Sequence, residues 1–317
     1  MQRLEVITRF FLALALSVFL FMSGISLPPI GALLLPFVTQ PVLLFGFKYG
    51  IGHGLGVVLV ALLLLALFAG EELGLVYGIF AILAGVLLGL IGRVRAVEYL
   101  VVGAASAMFV WALGVALYFF GSWAALVGDI RTGLTQQFAA ATRMQEQMGF
   151  SKDSLELVKE RMPQLIDMTL QLLPGLLFLT FALIALINIF SLRRRFPERR
   201  SAWFAIENFR DWKGPESLVW GLIASGFSLF FPVPDLARMI AMNLLLIVGA
   251  FYFAQGLAVI AFFFHKNNVP RFLRGITYVL IVFQQIFTLM VVGLGLFDLW
   301  GDFRRLGKDN LTPSQAS

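Results

Sequence analysis

The chain alternates long apolar runs with short polar breaks over most of its length. An unbroken apolar run of about 20 residues predicts a helix that crosses the hydrocarbon core of a membrane, whereas barrel strands would show alternation over about ten residues. We therefore predict an all-α integral membrane protein, a polytopic bundle of eight or nine transmembrane helices. The nine candidate spans are 7–26, 29–46, 50–69, 73–92, 98–126, 165–191, 216–231, 236–264 and 271–299.

The amino-acid composition agrees with a membrane environment. Of the 317 residues, 60% are hydrophobic and 13% are charged, whereas a soluble domain carries about 25% charged residues. Arg3 and Arg9 lie before and at the start of the first span, as basic residues precede the apolar core of a signal peptide. Because no clear small-residue cleavage site is present and a second apolar run follows closely, we expect an uncleaved anchor.

One long polar segment, 128–164, interrupts the apolar pattern. From Ile130 onward apolar residues recur at helical spacing with charged and amide residues on other faces, which predicts an amphipathic helix that ends at Gly149. A second charged helix follows and runs toward Pro163. We expect an extramembrane helical hairpin on the external side, which either lies on the membrane interface or covers an external opening.

Basic residues determine the expected orientation. The segment 191–214 carries seven of them, and loops rich in Lys and Arg stay on the cytoplasmic side, which also places the N-terminus in the cytoplasm. With nine spans, Arg304, Arg305 and Lys308 at the C-terminus would be external. With eight spans, if 216–231 does not fully cross, they are cytoplasmic, and the sequence leaves both counts open.

These landmarks divide the chain into three parts. Residues 1–191 form a six-helix membrane unit that includes the extramembrane insertion 128–164. Residues 192–215 form a basic cytoplasmic loop, and residues 216–317 form C-terminal membrane helices with a short tail.

The sequence contains no recognisable catalytic motif. Cysteine is absent, the two histidines are His53 and His265, and no metalloprotease, nucleophile-elbow or P-loop pattern occurs. We expect no enzymatic activity, no cofactor and no metal site. The basic residues lie in loops rather than on an aromatic-rich soluble domain, so we expect no nucleic-acid partner.

Two stripes of small residues indicate close helix packing. Such stripes let helix backbones approach each other in lipid, where no hydrophobic force drives helices together. The predicted packing residues are Gly74, Gly78, Gly85 and Gly89 in the fourth span, and Ala250, Ala254 and Ala258 in the eighth.

The second span is interrupted by prolines. Pro28, Pro29, Pro36 and Pro41 fall within 26–47, with Thr39 and Gln40 between the last two. An interior proline removes a backbone hydrogen bond, and transporters use such interruptions as binding sites. A proline kink that serves only packing is the alternative.

Isolated polar residues in apolar runs are the other candidate site residues. Gln255 is the only strongly polar residue in 251–264, and such an amide either joins helices or faces a ligand cavity. An acid such as Asp298 within a span is a functional candidate by default. The predicted ligand-binding residues are Thr39, Gln40, His53, Asn243, Gln255 and Asp298.

The end of the last span carries a cluster of charges. Helical spacing places Asp298, Asp302 and Arg305 on one face and Arg304 on another. An interfacial anchor with snorkelling charges and an acid–base pair is the structural interpretation of this cluster.

The C-terminal third resembles a known family. The run YFAQGLAVI at 252–260, then Leu273-Arg274, Gly295, Asp298 and Trp300, resembles the YybS-like family of bacterial multi-pass membrane proteins, whose domain has no assigned function. The resemblance implies a bacterial cytoplasmic (inner) membrane protein. It also implies a distant relation to the S components of energy-coupling-factor transporters, which have six helices and bind a small molecule near the outer face.

Two functions follow from these observations. The first is small-molecule binding or transport at a polar cavity that involves Gln40, Gln255 or Asn243. The second is a non-transport membrane scaffold or assembly factor that acts through its loops. The expected partners are the lipid bilayer, a small molecule, and another membrane protein or a second copy of the chain.

Overall fold

The computed structural model describes residues 2–148, 152–204, 208–301 and 303–304. Within these residues the chain contains thirteen α-helices and no strand, which confirms the all-α prediction. It divides into two compact units, Met1–Arg199 and Arg200–Ser317.

The part of the first unit that the structure describes contains eight α-helices. They are α1 (Gln2–Ser26), α2 (Pro28–Leu34), α3 (Gln40–Tyr49), α4 (Ile51–Phe68), α5 (Glu71–Leu90), α6 (Val97–Phe120), α7 (Trp123–Gln147) and α8 (Lys152–Arg195). Glycines with positive φ separate several of them: Gly50 (122°) precedes α4, Gly70 (101°) precedes α5 and Gly121 (70°) follows α6. Glycine adopts this region without a Cβ clash, so these positions allow the chain to reverse between helices.

The second unit contains five helices among its described residues. They are α9 (Arg200–Trp203), α10 (Leu218–Ser228), α11 (Asp235–Lys266), α12 (Arg271–Phe283) and α13 (Gln285–Gly301). Gly256 of α11 lies against Val291, and Gly295 of α13 lies against Tyr252, so these two helices run antiparallel.

Six described helices are long and apolar enough to cross a membrane, or seven if one bent pair counts as a single span. The predicted span 29–46 is broken into α2, a 3-10 turn at Leu35–Phe37 and α3. The predicted span 216–231 forms α10, whose 11 residues extend about 16 Å and do not cross the ~30 Å hydrocarbon core. The total of eight or nine spans stays a prediction.

The predicted span 271–299 is not one straight helix. It breaks at Gln284, and α12 and α13 are bent by 103° relative to each other. Gln284 has an extended backbone (φ −108°, ψ 108°). The side-chain hydroxyl of Thr288 donates to the Ile281 carbonyl across the break at 2.6 Å, which satisfies one carbonyl at the end of α12.

The expected end of a helix near Pro163 is wrong. Helix α8 runs for 44 residues through Pro163 and Pro174, so the charged helix of the predicted hairpin and the span 165–191 are continuous. A proline removes one hydrogen bond and kinks a helix without always ending it. Gly149, the expected end of the preceding helix, lies outside the described residues.

Helix α7 pairs with the first half of α8 through two ion pairs. Arg131 contacts Asp167 at 2.6 Å, and Lys159 contacts Glu146 at 2.7 Å. The hydrogen bond from Lys159, and then its charge, lower the pKa of Glu146. The two helices therefore form a hairpin, and its position outside the membrane stays a prediction.

The predicted small-residue stripes differ in how closely their members pack. A Cβ at Gly74 would lie 3.0 Å from Ala66, and one at Gly78 would overlap the Trp111 indole. A Cβ at Gly85 or Gly89 would meet nothing within 4 Å. In α11, Ala258 is buried while Ala250 and Ala254 are half-buried.

Candidate functional site

Thr39 and Gln40 lie where the second apolar segment breaks in the first unit. Both are buried. The Gln40 side chain donates to Asn188 Oδ1 at 3.0 Å and accepts from the Ser191 hydroxyl at 2.8 Å. Thr39 Oγ1 is buried with no hydrogen-bond partner among the described residues. The Gln40 amide is thus already held by two residues of α8.

Side chains from other helices also satisfy the carbonyls of the broken segment. Asn188 Nδ2 donates to the Pro36 carbonyl at 2.9 Å, and the Ser17 hydroxyl donates to the Val38 carbonyl at 2.8 Å. In lipid an unsatisfied backbone group costs several kcal/mol. We call Ser17, Thr39, Gln40, Asn188 and Ser191 the amide network, and its geometry stabilises an interrupted helix.

A second buried cluster lies in the second unit, and we call Gln255, Asp298 and Arg304 the polar centre. Arg304 Nη2 contacts Asp298 Oδ2 at 2.7 Å, and the two side chains are 1% and 2% exposed. Gln255 Nε2 also donates to Asp298 Oδ2, at 3.2 Å. Burying an ion pair costs several kcal/mol of desolvation for each ion. The additional hydrogen bonds to these side chains offset part of this cost.

The polar centre fastens the segment before α10 to α11 and α13. Arg304 Nη1 donates to the carbonyls of Arg210 and Trp212, each at 2.8 Å. The Gly214 amide donates to Gln255 Oε1 at 3.2 Å. Asp298 Oδ1 and Arg304 Nε are buried without a hydrogen-bond partner among the described residues, and a bridging water would satisfy both kinds of atom.

The structure brings two predicted site residues together and adds one that sequence reasoning missed. Gln255 and Asp298 share the polar centre, whereas Asn243 donates to the Met239 carbonyl of its own helix at 2.7 Å. Arg304 was predicted on a different face from Asp298, but α13 ends at Gly301, so helical spacing no longer applies beyond it. Asp302 and Arg305 lie outside the described residues.

The remaining predicted residue, His53, lies at a surface cleft. The cleft has a volume of about 570 Å³ and is lined by Arg3, Val6, Ile7, Phe10, Phe11 and His53. The His53 ring meets the edge of Phe45 at 6.4 Å between centroids. This cleft joins the first turns of α1 to the first turn of α4.

Residues of α4, α5 and α6 line a larger cleft. Its volume is about 1250 Å³, and apolar residues dominate its lining; among the lining residues are Leu63, Ala66, Glu71, Gly74, Ser106, Trp111, Gly114 and Tyr118. The Trp111 indole N–H donates to the Leu75 carbonyl at 2.9 Å. Gln40, Asn243 and Gln255 are not among the lining residues of this cleft.

Long apolar helices and buried polar networks together define a polytopic α-helical membrane protein. The chain belongs to the family described as predicted membrane protein (DUF2232), whose model matches residues 15–299. It is similar to uncharacterized protein YybS of Bacillus subtilis (strain 168), with 24% identity over 292 residues, 87% of this chain and 89% of that protein. These matches confirm the YybS-like resemblance. No solved structure matches the chain.

Proposed function

We propose that the chain is a bacterial inner-membrane protein that binds a small, largely apolar molecule in the cleft between α4, α5 and α6. The volume of this cleft, about 1250 Å³, carries the proposal. Small-molecule sites are concave, mostly apolar and about 300–1,000 Å³ in volume, with a few polar groups that fix the ligand. The cleft is therefore large enough for a molecule of the size of a vitamin or a short lipid.

The lining suggests the chemistry of the ligand. Glu71 lies at one end of the cleft and Ser106 lies farther along it. Because the Trp111 N–H already donates to the Leu75 carbonyl, the indole offers the ligand apolar surface. These groups favour an apolar body with one polar or cationic group next to Glu71.

The hydrogen bonds of the amide network and the polar centre favour a site away from them. Gln40 already uses both ends of its amide, toward Asn188 and Ser191. Gln255 likewise uses both ends, toward Gly214 and Asp298. A ligand at either amide would have to replace these internal hydrogen bonds, whereas the cleft needs no such exchange.

The expected orientation supports binding from the external side. If the N-terminus is cytoplasmic, then α1, the broken segment 28–49 and α4 cross in turn, and the turn at 69–70 is external. Glu71 follows this turn, and Tyr118 lies near the external end of α6. The proposed mouth of the cleft is thus on the side where S components take up their ligands.

A glycine in the cleft allows a direct test of binding. A Cβ at Gly114 would meet nothing within 4 Å, so Gly114→Phe should place an aromatic ring in the cleft and obstruct it without disturbing the fold. Gly103→Phe is the matched control, because Gly103 lies on the same helix with equally open space but outside the cleft lining. Native mass spectrometry of gently extracted protein should show a bound small molecule in the wild type and in Gly103→Phe, and not in Gly114→Phe. A bare wild-type protein would contradict the proposal.

We also propose that both chain ends are cytoplasmic and that the chain crosses the membrane eight times. Arg304 donates to the carbonyls of Arg210 and Trp212, so the end of α13 lies level with the segment before α10. The end of α13 and the segment before α10 then lie on the same side of the membrane, so the chain crosses it an even number of times between them. Helix α11 and the bent pair α12–α13 account for two crossings, and the short α10 does not cross. The first unit accounts for six crossings if its broken segment crosses.

The absence of cysteine from the sequence makes this topology simple to test. Single-cysteine variants Phe209→Cys and Phe303→Cys should react with a membrane-impermeant maleimide only after the cells are permeabilised. Trp123→Cys, at the start of α7, is the external control and should react in intact cells. Reaction of one of the positions 209 and 303 in intact cells, and of the other only after permeabilisation, would contradict the eight-span topology.

The polar centre also favours a second function, a scaffold for another protein. It holds a segment in which Phe209 is 39% exposed and stacks on Trp212 at 6.3 Å. A photo-crosslinking residue at position 209 should then capture a polypeptide of defined mass in cells, and Arg304→Gln should abolish that product. Crosslinks to lipid alone would exclude this function for the segment.

A further inference from the structure

We infer that the cleft between the first turns of α1 and α4 binds the phosphate of an anionic phospholipid. This site is separate from the cleft between α4, α5 and α6. The inference rests on the residues that line the smaller cleft, which has a volume of about 570 Å³, and on the order in which charge and apolar surface follow each other along it.

The lining is ordered along α1. Arg3, Ile7 and Phe10 share one helix face with Val6, because positions i, i+3, i+4 and i+7 lie together. Arg3 and Phe10 are therefore separated by about 10 Å along the helix axis. The cleft has a cationic end near the start of the helix and an apolar end deeper in it, as a headgroup with its acyl chain requires.

The apolar end is held in place by aromatic contacts. The Phe10 ring meets Phe11 edge-on at 5.7 Å between centroids and meets Phe45 at 5.9 Å. Phe11 itself is 60% exposed. Acyl chains bind along such apolar surface because burying their CH₂ groups is favourable.

The polar end has the groups that recognise phosphate. The Arg3 guanidinium can bind two phosphate oxygens at once, and the His53 ring carries an N–H donor. Among the described residues that line the cleft, none is acidic. The nearby Glu5 carboxylate accepts a hydrogen bond from the Tyr49 hydroxyl at 3.0 Å.

The expected position of the cleft suits an anionic lipid. The positive-inside rule puts the start of α1 on the cytoplasmic side, where anionic lipids give the membrane a negative surface potential. Basic pockets between helices on this side bind anionic headgroups. A phosphate held by Arg3 and His53 would therefore belong to a lipid already present at that depth.

The test compares lipid retention by variants of the full-length protein. Protein reconstituted with equal amounts of dioleoylphosphatidylglycerol and dioleoylphosphatidylcholine is re-extracted and analysed by native mass spectrometry. We expect one retained phosphatidylglycerol in the wild type and about a tenfold lower retention, equivalent to 1.4 kcal/mol, in the double variant Arg3→Gln/His53→Gln. Arg9→Gln is the matched control, since Arg9 is exposed on the same helix and does not line the cleft.

Each other outcome overturns the inference. Equal retention by the wild type and the double variant would place the lipid elsewhere. An equal loss in Arg9→Gln would indicate general surface charge rather than a site. Displacement of phosphatidylglycerol by millimolar inorganic phosphate would show that the site takes free phosphate and not a lipid. Ile7→Glu, which adds an acid at a 53% exposed lining position, should also reduce retention, and normal retention by this variant would contradict the site.

Discussion

The two units stabilise irregular backbone in their apolar interiors by different means. The amide network of the first unit is neutral and supplies donors to the broken segment between α2 and α3. The polar centre of the second unit contains a buried ion pair and fastens a remote segment. Removal of one partner from a neutral hydrogen bond leaves a buried polar group unsatisfied and destabilises the fold by about 1–3 kcal/mol. Removal of one charge from a buried ion pair leaves the other charge unpaired and destabilises the fold by about 3–5 kcal/mol. The comparison predicts a larger role for the charged cluster in stability.

The largest effect is expected from Arg304→Gln. The substitution leaves the Asp298 carboxylate buried without its cation and removes the donors to Arg210 and Trp212, so the free energy of unfolding should fall by about 3–5 kcal/mol. Thermal unfolding followed by tryptophan fluorescence measures this change. The double variant Asp298→Asn/Arg304→Gln should lose less than the sum of the two single variants. Strict additivity would show that the pair does not act as a unit.

The next effect concerns the close approach of α11 and α13. A Cβ at Gly295 would overlap the Tyr252 carbonyl oxygen, so Gly295→Ala must push the helices apart and should cost about 1–3 kcal/mol, as overpacking typically does. Gly293→Ala is the matched control, because a Cβ there meets nothing within 4 Å and alanine favours the helix. Equal melting temperatures for the two variants would contradict the close contact.

An effect of similar size, and smaller than that of Arg304→Gln, is expected from Asn188→Leu in the amide network. The substitution removes the donor to the Pro36 carbonyl and the acceptor for Gln40, and it should cost about 1–3 kcal/mol. Thr180→Val is the control on the same helix, since Thr180 is exposed and its hydroxyl donates to the Leu176 carbonyl of its own helix at 2.8 Å. If Asn188→Leu destabilises the protein more than Arg304→Gln does, the contrast between the two units is wrong.

The sequence predicts the helices well and the polar contacts only in part. Long apolar runs specify the spans, and clustered prolines correctly predict the break near Thr39 and Gln40. No proline or glycine lies next to Gln284, so the sequence does not predict the 103° bend there. The helix end expected near Pro163 is absent from α8, which also continues through Pro174, because one lost hydrogen bond does not end a helix supported along its length.

Contacts between distant residues are the part that the sequence could not supply. The partnership of Asp298 with Arg304 depends on where α13 ends, and helical spacing extended past Gly301 places Arg304 on the wrong face. Gly256 and Gly295 allow close backbone approaches between α11 and α13, but nothing in a single sequence distinguishes them from the other glycines. Gln255 is identified as unusual by its apolar surroundings, while its partners follow only from the fold.

The most direct test of the proposed function compares ligand retention at the two kinds of site. Native mass spectrometry of the wild type, Gly114→Phe, Gly103→Phe and Gln40→Leu, each shown to be folded by its melting curve, separates the apolar cleft from the amide network. A small molecule bound by the wild type should remain in Gly103→Phe and Gln40→Leu and be lost from Gly114→Phe. Loss of the small molecule from Gln40→Leu, with its retention in Gly114→Phe, would contradict binding in the cleft and would place the ligand site at the broken segment between α2 and α3.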